Sequence, residues 1–578
     1  MAISDLASAE PNILRKWFGD LFVLLGKVTE QKDLEDQNLR ELSFEIIVTL
    51  VENFPKLFKD DNSKLEVFIQ MLYKYALVME TDITEEWTTP KTLSFLEEDV
   101  VPEPQLQLCL GMIERVCEKV DSEVVLKMLV KIVQDLLGNV SNNWKYKYIA
   151  FMTITSMCEE IDDLSEIKNI LPTVFDNLKN EHCKIRFGCL QVIEVAADSF
   201  NPHFQTTYHN DIVPLLLLNM NDNILRNQLQ CTETIIAFLE NCPEDVIKVH
   251  CKSILDTLFP ILLNESTFVS LKENIINVVS ELVGVCEEEF AQYSSKCLEI
   301  LIKVLSFCMS YGKEKSIYGS LLELITKIGP NCESDYFKYI PDIVSAMVTL
   351  QNNIPYSTDP IFEYLNSAWE KLIPYIRKDF KNMTKDVIEC TLKLVSNLPT
   401  MSLSDKPNQD FNIQDLLKDD DQDPKIVKHK IQVNTAETQD YAASISLLCT
   451  VMDSFGNDFA PYLDHTEKLA MSLLTFSVND DIRMEAANMI PYLVDIVKNQ
   501  GNVEILHQKS KRYLAETIIA LEKEEFNGAI ACQLDAIGSL VEKVGMFLKE
   551  VEIRDLFVKL LEVFDKVEKS RLKLITNI

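Results

Sequence analysis

Prolines at nearly equal intervals are the feature that most constrains the fold of this chain. They lie at positions 172, 214 and 260, in the stretches LPTVFDNLKN, VPLLLLNMND and FPILLNES, so the intervals are 42 and 46 residues. Each stretch is followed by a short polar turn and by a second segment with helical apolar periodicity, beginning near residue 183, 224 or 267. The sequence therefore predicts helix pairs that recur about every 40 to 47 residues.

Helix pairs at this interval are typical of HEAT and armadillo repeats, which stack because one pair cannot bury its apolar stripe alone. The pattern predicts pairs near residues 11–54, 56–119, 122–160, 165–198, 203–240, 244–285, 287–330, 334–374, 376–455, 458–498 and 502–545, with a further helix after 549. Only 14 of the 578 residues are glycine, so tight hairpins are scarce. We expect an all-α fold, a HEAT-repeat right-handed superhelical solenoid of about eleven to twelve helix pairs.

Two pairs are longer than the rest, which predicts two inserts. The expected organisation is HEAT repeats over 1–80, an acidic Trp-containing insert over 81–104, HEAT repeats with a candidate concave groove over 105–397, a second acidic and strand-like insert over 398–434, and HEAT repeats over 435–578. The alternating run KIVKHKIQV at 425–433 predicts a short strand. Loops of this length are either functional or disordered, and an exposed Trp87 in the first insert favours binding over a solvated loop.

Charge and cysteine usage narrow the class of protein. The chain carries 56 Lys and Arg against 90 Asp and Glu, a net charge of −34. This surplus argues against direct nucleic-acid binding and favours either a basic partner or an acidic surface that maintains solubility. The 15 cysteines are scattered without a C-x-x-C pair, which indicates a reduced intracellular protein. No apolar run reaches 18 residues, so membrane insertion is not expected.

Motifs for catalysis, cofactors and metals are missing from the sequence. It contains no G-x-G-x-x-G, no G-x-x-x-x-G-K-[ST], no H-E-x-x-H and no G-x-S-x-G. The seven histidines are scattered along the chain. We therefore expect a binding protein that is not an enzyme and that uses neither a cofactor nor a metal.

The second helices carry the candidate binding residues, because in stacked pairs these helices usually line the concave side. Carboxylates on a concave wall are expected to attract Lys and Arg of an extended ligand and to pair with them. The alternative for any single residue is that it only faces water. The candidates are Glu45, Glu52, Gln191, Glu194, Gln228, Glu233, Glu273, Asn274, Asn277 and Glu281.

Several stretches occur in an order that is known from one protein family. They are LSFEIIVTLVE (42–52), NNWKYKYIAFMTITSMCEE (142–160), KIRFGCLQVIEVAADSFNPHFQTTYHNDIVPLLLLNM (184–220), LENCPEDVI (239–247), LNSAWEKLIPYIRKDF (365–380) and KIQVNTAETQDYAASISLL (430–448). Together with both inserts, they resemble the karyopherin-β (importin-β) superfamily, most closely its beta-three or importin-five class. The resemblance is collinear over roughly residues 1–545 and covers the central repeats of that family.

The resemblance implies a nuclear import receptor, a monomer that shuttles through the nuclear pore between cytoplasm and nucleus. Such receptors bind basic cargo proteins on the inner surface and FG nucleoporins on the outer helices, and they release cargo to GTP-bound Ran. The resemblance places the cargo pocket on second helices within residues 11–285. It assigns a cargo or Ran contact to the acidic insert, through Glu85, Glu86, Trp87, Glu97, Glu98 and Asp99. Trp369 is expected to pack between helices.

Family members are about twice as long, and their repeats with the main Ran contact have no counterpart here. The chain is therefore expected to be either a fragment or a shortened receptor with weakened Ran control. Three other functions remain open. They are a HEAT scaffold for an enzyme complex, an importin-α-like adaptor, and a chaperone that shields basic proteins such as histones or ribosomal proteins without Ran-controlled transport.

Overall fold

The computed structural model forms two compact units, Met1–Tyr293 and Ser294–Ile578. It describes residues 2–30, 37–59, 62–80, 83–89, 103–139, 143–161, 163–311, 316–353, 361–396, 401–403, 431–433, 435–477 and 479–576. Nearly all of these residues are helical.

Helices of the first unit follow one another with short connections. Their bounds are α1 Ala2–Ala9, α2 Pro11–Leu14, α3 Phe18–Glu30, α4 Gln37–Asn53, α5 Pro55–Lys59, α6 Asn62–Ala76, α7 Glu85–Thr88, α8 Pro104–Lys119, α9 Ser122–Leu137, α10 Trp144–Cys158, α11 Leu171–Asn177, α12 Cys183–Ser199, α13 His203–Asn219, α14 Leu225–Glu240, α15 Glu244–Leu263 and α16 Val269–Cys286. Short 3-10 helices lie at Arg15–Trp17, Leu164–Glu166 and Glu287–Phe290.

The second unit begins within α17 and continues the same plan. Its bounds are α17 Ala291–Tyr311, α18 Ser316–Ile328, α19 Glu333–Asn353, α20 Ile361–Asp379, α21 Thr384–Ser396, α22 Thr435–Phe455, α23 Leu463–Leu473, α24 Asp480–Asn499, α25 Val503–Lys523, α26 Asn527–Val544 and α27 Glu550–Thr576. Further 3-10 helices lie at Gly329–Cys332, Lys381–Met383, Gly456–Tyr462 and Gly545–Phe547. Two strands, β1 Met401–Leu403 and β2 Ile431–Val433, pair antiparallel.

Consecutive helices form the pairs that the sequence predicts. In the first unit, α3 packs on α4, α6 on α8, α9 on α10, α11 on α12, α13 on α14, and α15 on α16. The later member of each pair is called a second helix. The second helices α4, α8, α10, α12, α14 and α16 contact one another in succession, and so do α18, α20, α22, α24 and α26 in the second unit. Stacked neighbours of this kind are what a repeat array needs to bury its core.

The second helices hold most of the core because they are apolar on several faces. In α12, Phe187, Leu190 and Ile193 are fully buried, and in α14, Leu229 and Phe238 are buried almost completely. A helix that is apolar nearly all round is stable only between other elements. Each such side chain contributes about 1.5–3 kcal/mol on burial. The stack of second helices is therefore the rigid part on which surface groups are positioned.

A buried ion pair joins consecutive pairs of helices in each unit. Arg186 of α12 donates from Nε and Nη2 to the carboxylate of Asp222 at 2.6 and 2.7 Å, in the turn between α13 and α14. Asp222 also accepts from the side chain of Asn227 at 2.9 Å. In the second unit, Arg483 of α24 makes the same two-pronged contact with Glu524 at 2.7 and 2.9 Å, after α25. Such forked pairs add geometric specificity to the contact between neighbouring repeats.

Other expectations can be compared with the described residues. The strand predicted at 425–433 is present over Ile431–Val433, and residues 425–430 lie outside the described part. Trp369 is fully buried, and its Nε1 donates to Gln351 at 3.1 Å, so it packs between helices as expected. None of the described helices has an apolar stretch long enough to cross a bilayer.

Candidate functional site on the second helices

Polar side chains run along one stripe of each of two neighbouring second helices. In α12 the stripe contains Lys184, Gln191 and Glu194, at helical positions i, i+7 and i+10. In α14 it contains Arg226 and Glu233, seven residues apart. Residues at these spacings lie on one face of a helix. Each stripe is therefore basic near the start of its helix and acidic towards its end.

Carboxylates gather at the acidic end of these stripes. The acidic ridge, as we name it, comprises Glu194, Asp198, Glu233, Glu240 and Glu281. Burial, followed by the charges of Glu233 and Asp198, raises the pKa of Glu194 to about 8. Burial and then Glu240 raise the pKa of Glu233, and burial followed by Asp198 and Glu281 raises the pKa of Glu240. The ridge therefore holds carboxylates so close together that their ionised forms repel one another.

The position of the ridge on the helices adds to this repulsion. Glu194 and Asp198 lie in the last two turns of α12, and Glu240 is the last residue of α14. The carbonyl end of a helix carries partial negative charge, so carboxylates there destabilise the helix. Glu194, Glu233 and Glu240 have shifted pKa values. Within the described residues, every charged group that contributes to these shifts is another carboxylate. The arrangement is unfavourable for folding and favourable for attracting a cation.

Similar acidic groups flank the ridge on the preceding second helices. Burial, followed by the charges of Glu114 and Glu160, raises the pKa of Glu159. Glu114 lies in the last two turns of α8, and Glu159 directly follows α10. The acidic surface therefore continues along the ends of α8, α10, α12, α14 and α16.

The structure brings together only part of the predicted set of polar residues. Glu194, Glu233 and Glu281 belong to the ridge, and Gln230 donates to Glu194. Asn274 is buried and donates from Nδ2 to Glu233 at 2.8 Å, so it orients that carboxylate.

The remaining predicted amides and Glu273 differ in their accessibility. Gln191 is buried, with an Oε1 atom that has no hydrogen-bond partner. Gln228 donates to the carbonyl of Met220 at 3.1 Å and therefore fixes a turn. Asn277 is exposed, and Glu273 is partly exposed.

Glu45 and Glu52 are engaged by a cation of the chain itself. Arg115 of α8 donates to Glu45 at 2.8 Å and to both oxygens of Glu52 at 2.8 and 2.9 Å. These bonds raise the pKa of the guanidinium. A ligand that uses either glutamate must therefore compete with Arg115, which the sequence reasoning had not foreseen.

The expectation of an exposed Trp87 is wrong. Its side chain is 5% exposed, because the indole packs inward on α12 and α14. Glu85 and Glu86, in the same short helix, are exposed. Glu97, Glu98 and Asp99 lie outside the described residues. The cargo or Ran contact assigned to these residues remains a prediction.

Several residues of the site were missed by the sequence reasoning. They are Asp198 and Glu240 of the ridge, and Lys184 and Arg226 at the basic ends of the stripes. The seven-residue spacing of Arg226, Glu233 and Glu240 is a signal that could have identified the α14 stripe. In the described part of the chain, His, Cys, Asp and Glu do not form a group of three that could hold a metal ion.

Comparisons with known proteins find importins among the proteins to which this chain is similar. No family model matches the chain. It is 23% identical to importin subunit beta-3 of Saccharomyces cerevisiae over 538 residues, which are 89% of this chain and 47% of the relative. It is 21% identical to a probable importin-5 homolog of Dictyostelium discoideum over 492 residues, 83% of this chain and 43% of the relative. The predicted resemblance to the importin-β superfamily is confirmed.

Solved structures agree on the fold of this importin-like chain. Kap121p bound to RanGTP matches 98% of the chain and 55% of its own length, with a TM-score of 0.75 and 19% identity. Kap121p bound to Pho4p matches 98% of the chain and 54% of its own length, with a TM-score of 0.55. These likenesses confirm the predicted all-α HEAT-repeat solenoid.

The chain spans about half the length of the curated relatives it matches. Both of these relatives are importins, which are transport receptors rather than enzymes. The expectation that the chain is not an enzyme is confirmed by these relatives.

Proposed function

We propose that the acidic ridge binds Lys- or Arg-rich segments of cargo proteins, and that the chain acts as the cargo-binding part of a nuclear import receptor. The observation that carries this proposal is the self-repelling set of carboxylates at the ends of α12 and α14. Burial, followed by repulsion from neighbouring carboxylates, raises the pKa of Glu194, Glu233 and Glu240, and a bound cation relieves the repulsion.

The predicted residues divide by their role in this binding. Glu194, Glu233 and Glu281 contact the cationic groups directly, and Asn277 and Glu273 extend the surface along α16. Gln191 offers an amide oxygen that no other group uses. Asn274 and Gln228 position their neighbours. Glu45 and Glu52 bind ligand only in exchange with Arg115.

The relatives support the transport part of the proposal. Two are importins, and one structural neighbour is bound to RanGTP while another is bound to Pho4p. For this chain we extend this to shuttling between cytoplasm and nucleus as a monomer, to FG-nucleoporin contacts, and to cargo release by GTP-bound Ran. Glu85 and Glu86 are the described acidic residues of the first insert that remain accessible to such partners.

The binding experiment compares a labelled Lys-rich peptide with a Glu-rich peptide by fluorescence anisotropy, using the full chain. Replacing Glu194, Glu233 and Glu240 by Gln removes three pairings of about 0.5 kcal/mol each, so affinity for the Lys-rich peptide should fall about tenfold. The control carries the same charge change at three exposed sites, by Asp135→Asn, Asp176→Asn and Glu265→Gln. Equal loss in both triple variants would show that net charge alone attracts the peptide.

A second candidate function is a chaperone that shields basic proteins, because the acidic ridge serves it equally well. Addition of Ran loaded with a non-hydrolysable GTP analogue to the peptide complex separates the two. Release of the peptide supports transport, whereas retention at saturating Ran supports shielding. Because the ridge variants test binding and Ran tests release, the two parts of the proposal fail independently.

A further inference from the structure

A short segment of the first insert lies against two distant second helices. The tryptophan segment, residues 83–89, follows α6 and contains the single-turn helix α7. Thr84 caps this helix by accepting from the backbone N–H of Trp87 at 3.2 Å. The side chains of residues 83–86 are exposed, whereas Trp87 is 5% exposed. One aromatic side chain therefore anchors the segment.

Two cations and an aromatic ring form the socket that receives this anchor. The Lys184 Nζ atom lies 5.3 Å from the centre of the Trp87 ring, and the Arg226 guanidinium carbon lies 5.4 Å from it. Phe187 meets the indole edge-on at 5.7 Å between ring centres. Arg226 also donates from Nε to the backbone carbonyl of Trp87 at 2.6 Å. The contact combines cation–π attraction with main-chain recognition.

The socket is supported from below by a buried polar network. Lys184 pairs with Glu103 at 2.5 Å, and both side chains are about 95% buried. Tyr148 donates to the other oxygen of Glu103 at 3.0 Å. The Lys184 ammonium also lies 5.2 Å from the Trp144 ring, so it is held between two indoles. The cation that faces Trp87 is therefore fixed before the segment docks.

The tryptophan segment contacts the second helices as a peptide ligand does. Trp87 and Arg226 are 139 residues apart, whereas the pairs of a repeat array contact only their neighbours. The Nε1 atom of Trp87 is buried without a hydrogen-bond partner, so the docking leaves one donor unsatisfied. The exposed, negatively charged carboxylate of Glu86 attracts the guanidinium of Arg226. The segment therefore matches the socket through two features, an aromatic side chain and the carboxylates that precede it.

We propose that the socket formed by Lys184, Phe187 and Arg226 is a second peptide-binding site, selective for an aromatic residue preceded by carboxylates. The chain's own tryptophan segment is its intramolecular occupant, and an acidic-aromatic segment of a partner protein exchanges with it. The site is separate from the acidic ridge, because Lys184 and Glu194 are about 15 Å apart along α12 at 1.5 Å per residue. It does not depend on the function proposed for that ridge.

The tryptophan segment competes with any added peptide for the socket, because both bind the same residues. A ligand that belongs to the same chain as its site competes at an effective concentration that can reach the millimolar range. An added peptide therefore binds weakly to the natural chain and more tightly once the occupant is removed. Replacing Trp87 by Ala removes the anchor and leaves the socket residues in place.

The test uses a fluorescently labelled peptide of sequence ITEEWTT, which is the tryptophan segment itself, and the full chain. Trp87→Ala should bind this peptide at least about tenfold more tightly than the natural chain. Trp17→Ala removes an exposed indole, 62% accessible, and should bind like the natural chain. Adding Arg226→Gln to Trp87→Ala should reverse the gain. Equal binding by the natural chain and Trp87→Ala, or no binding by Trp87→Ala, overturns the proposal.

A second measurement follows the natural chain itself and uses a conservative variant only to assign one resonance. The natural chain is labelled with 5-fluorotryptophan, and the Trp87 resonance is assigned by its loss in Trp87→Phe. Saturation with the unlabelled peptide should move this resonance towards the position of an exposed indole. A peptide in which Ala replaces the tryptophan should leave the resonance unmoved. A Trp87 resonance that stays in place at saturation, or one that both peptides move, overturns the proposal.

Discussion

Replacing Glu194 by Gln should stabilise the folded chain and remove part of its pH dependence. Burial and two neighbouring carboxylates raise the pKa of Glu194 from 4.5 to about 8. Between these values the folded protein retains a proton that the unfolded chain has released. The free energy of unfolding therefore falls as pH rises, by about 1.4 kcal/mol per unit. Glutamine has the same shape, accepts from Gln230 as the carboxylate does, and does not titrate.

The size of the gain follows from the two pKa values. It is near zero below pH 4.5, where the carboxyl is protonated in both states. It grows to about 3 kcal/mol at pH 7 and changes little above pH 8. This value is an upper bound, because the side chain retains some exposure and water screens part of the repulsion.

The assay is urea unfolding followed by far-UV circular dichroism at pH 5, 6, 7 and 8. The difference in free energy of unfolding between the Glu194→Gln variant and the natural chain should increase with pH. The control is Glu265→Gln, which removes an exposed carboxylate in the turn before α16. Its difference from the natural chain should stay constant. If the difference in free energy of unfolding for Glu194→Gln did not change with pH, the raised pKa of Glu194 would be refuted.

Two further substitutions test the ion pairs of the first unit. Arg186→Met leaves the buried carboxylate of Asp222 without its cation, so we expect the free energy of unfolding to fall by about 3–5 kcal/mol. The loss is measured as faster hydrogen exchange in α12 and α14, and it should be smaller in Arg186→Lys. Arg115→Met releases Glu45 and Glu52, so affinity for a Lys-rich peptide should rise about twofold to fivefold at low salt. Unchanged affinity would mean that these two glutamates lie away from the bound peptide.

Helix pairing could be read from the sequence because it depends on local signals. The prolines at 172, 214 and 260 and the polar turns after them mark three successive helix pairs, and apolar periodicity marks each helix. The order of the family-like stretches then indicated the importin-β resemblance. Each helix and each turn is marked by a pattern within about 11 to 18 residues, and the repeat is visible because the same local pattern returns along the chain.

Contacts between distant repeats could not be read in this way. Arg115 pairs with Glu45 and Glu52, which lie 70 and 63 positions away from it, so the sequence alone gave no sign that either carboxylate has a partner. Trp87 was expected to be exposed because its surroundings are acidic, yet its partners are Lys184 and Arg226, about one hundred residues or more away. Whether a polar residue is free depends on such partners, and only the fold brings them together.

The tryptophan segment also has a mechanical consequence for the first unit. The curvature of a repeat array follows from the small rotation of each pair against its neighbours, because these rotations add up along the array. The hydrogen bond from Arg226 to Trp87 ties the second repeat to the fifth and spans the repeats between them. This tie limits how far the intervening turns can open. Partners that stretch or flatten this part of the array must first break it, so the elasticity of the array depends on the occupancy of one indole socket.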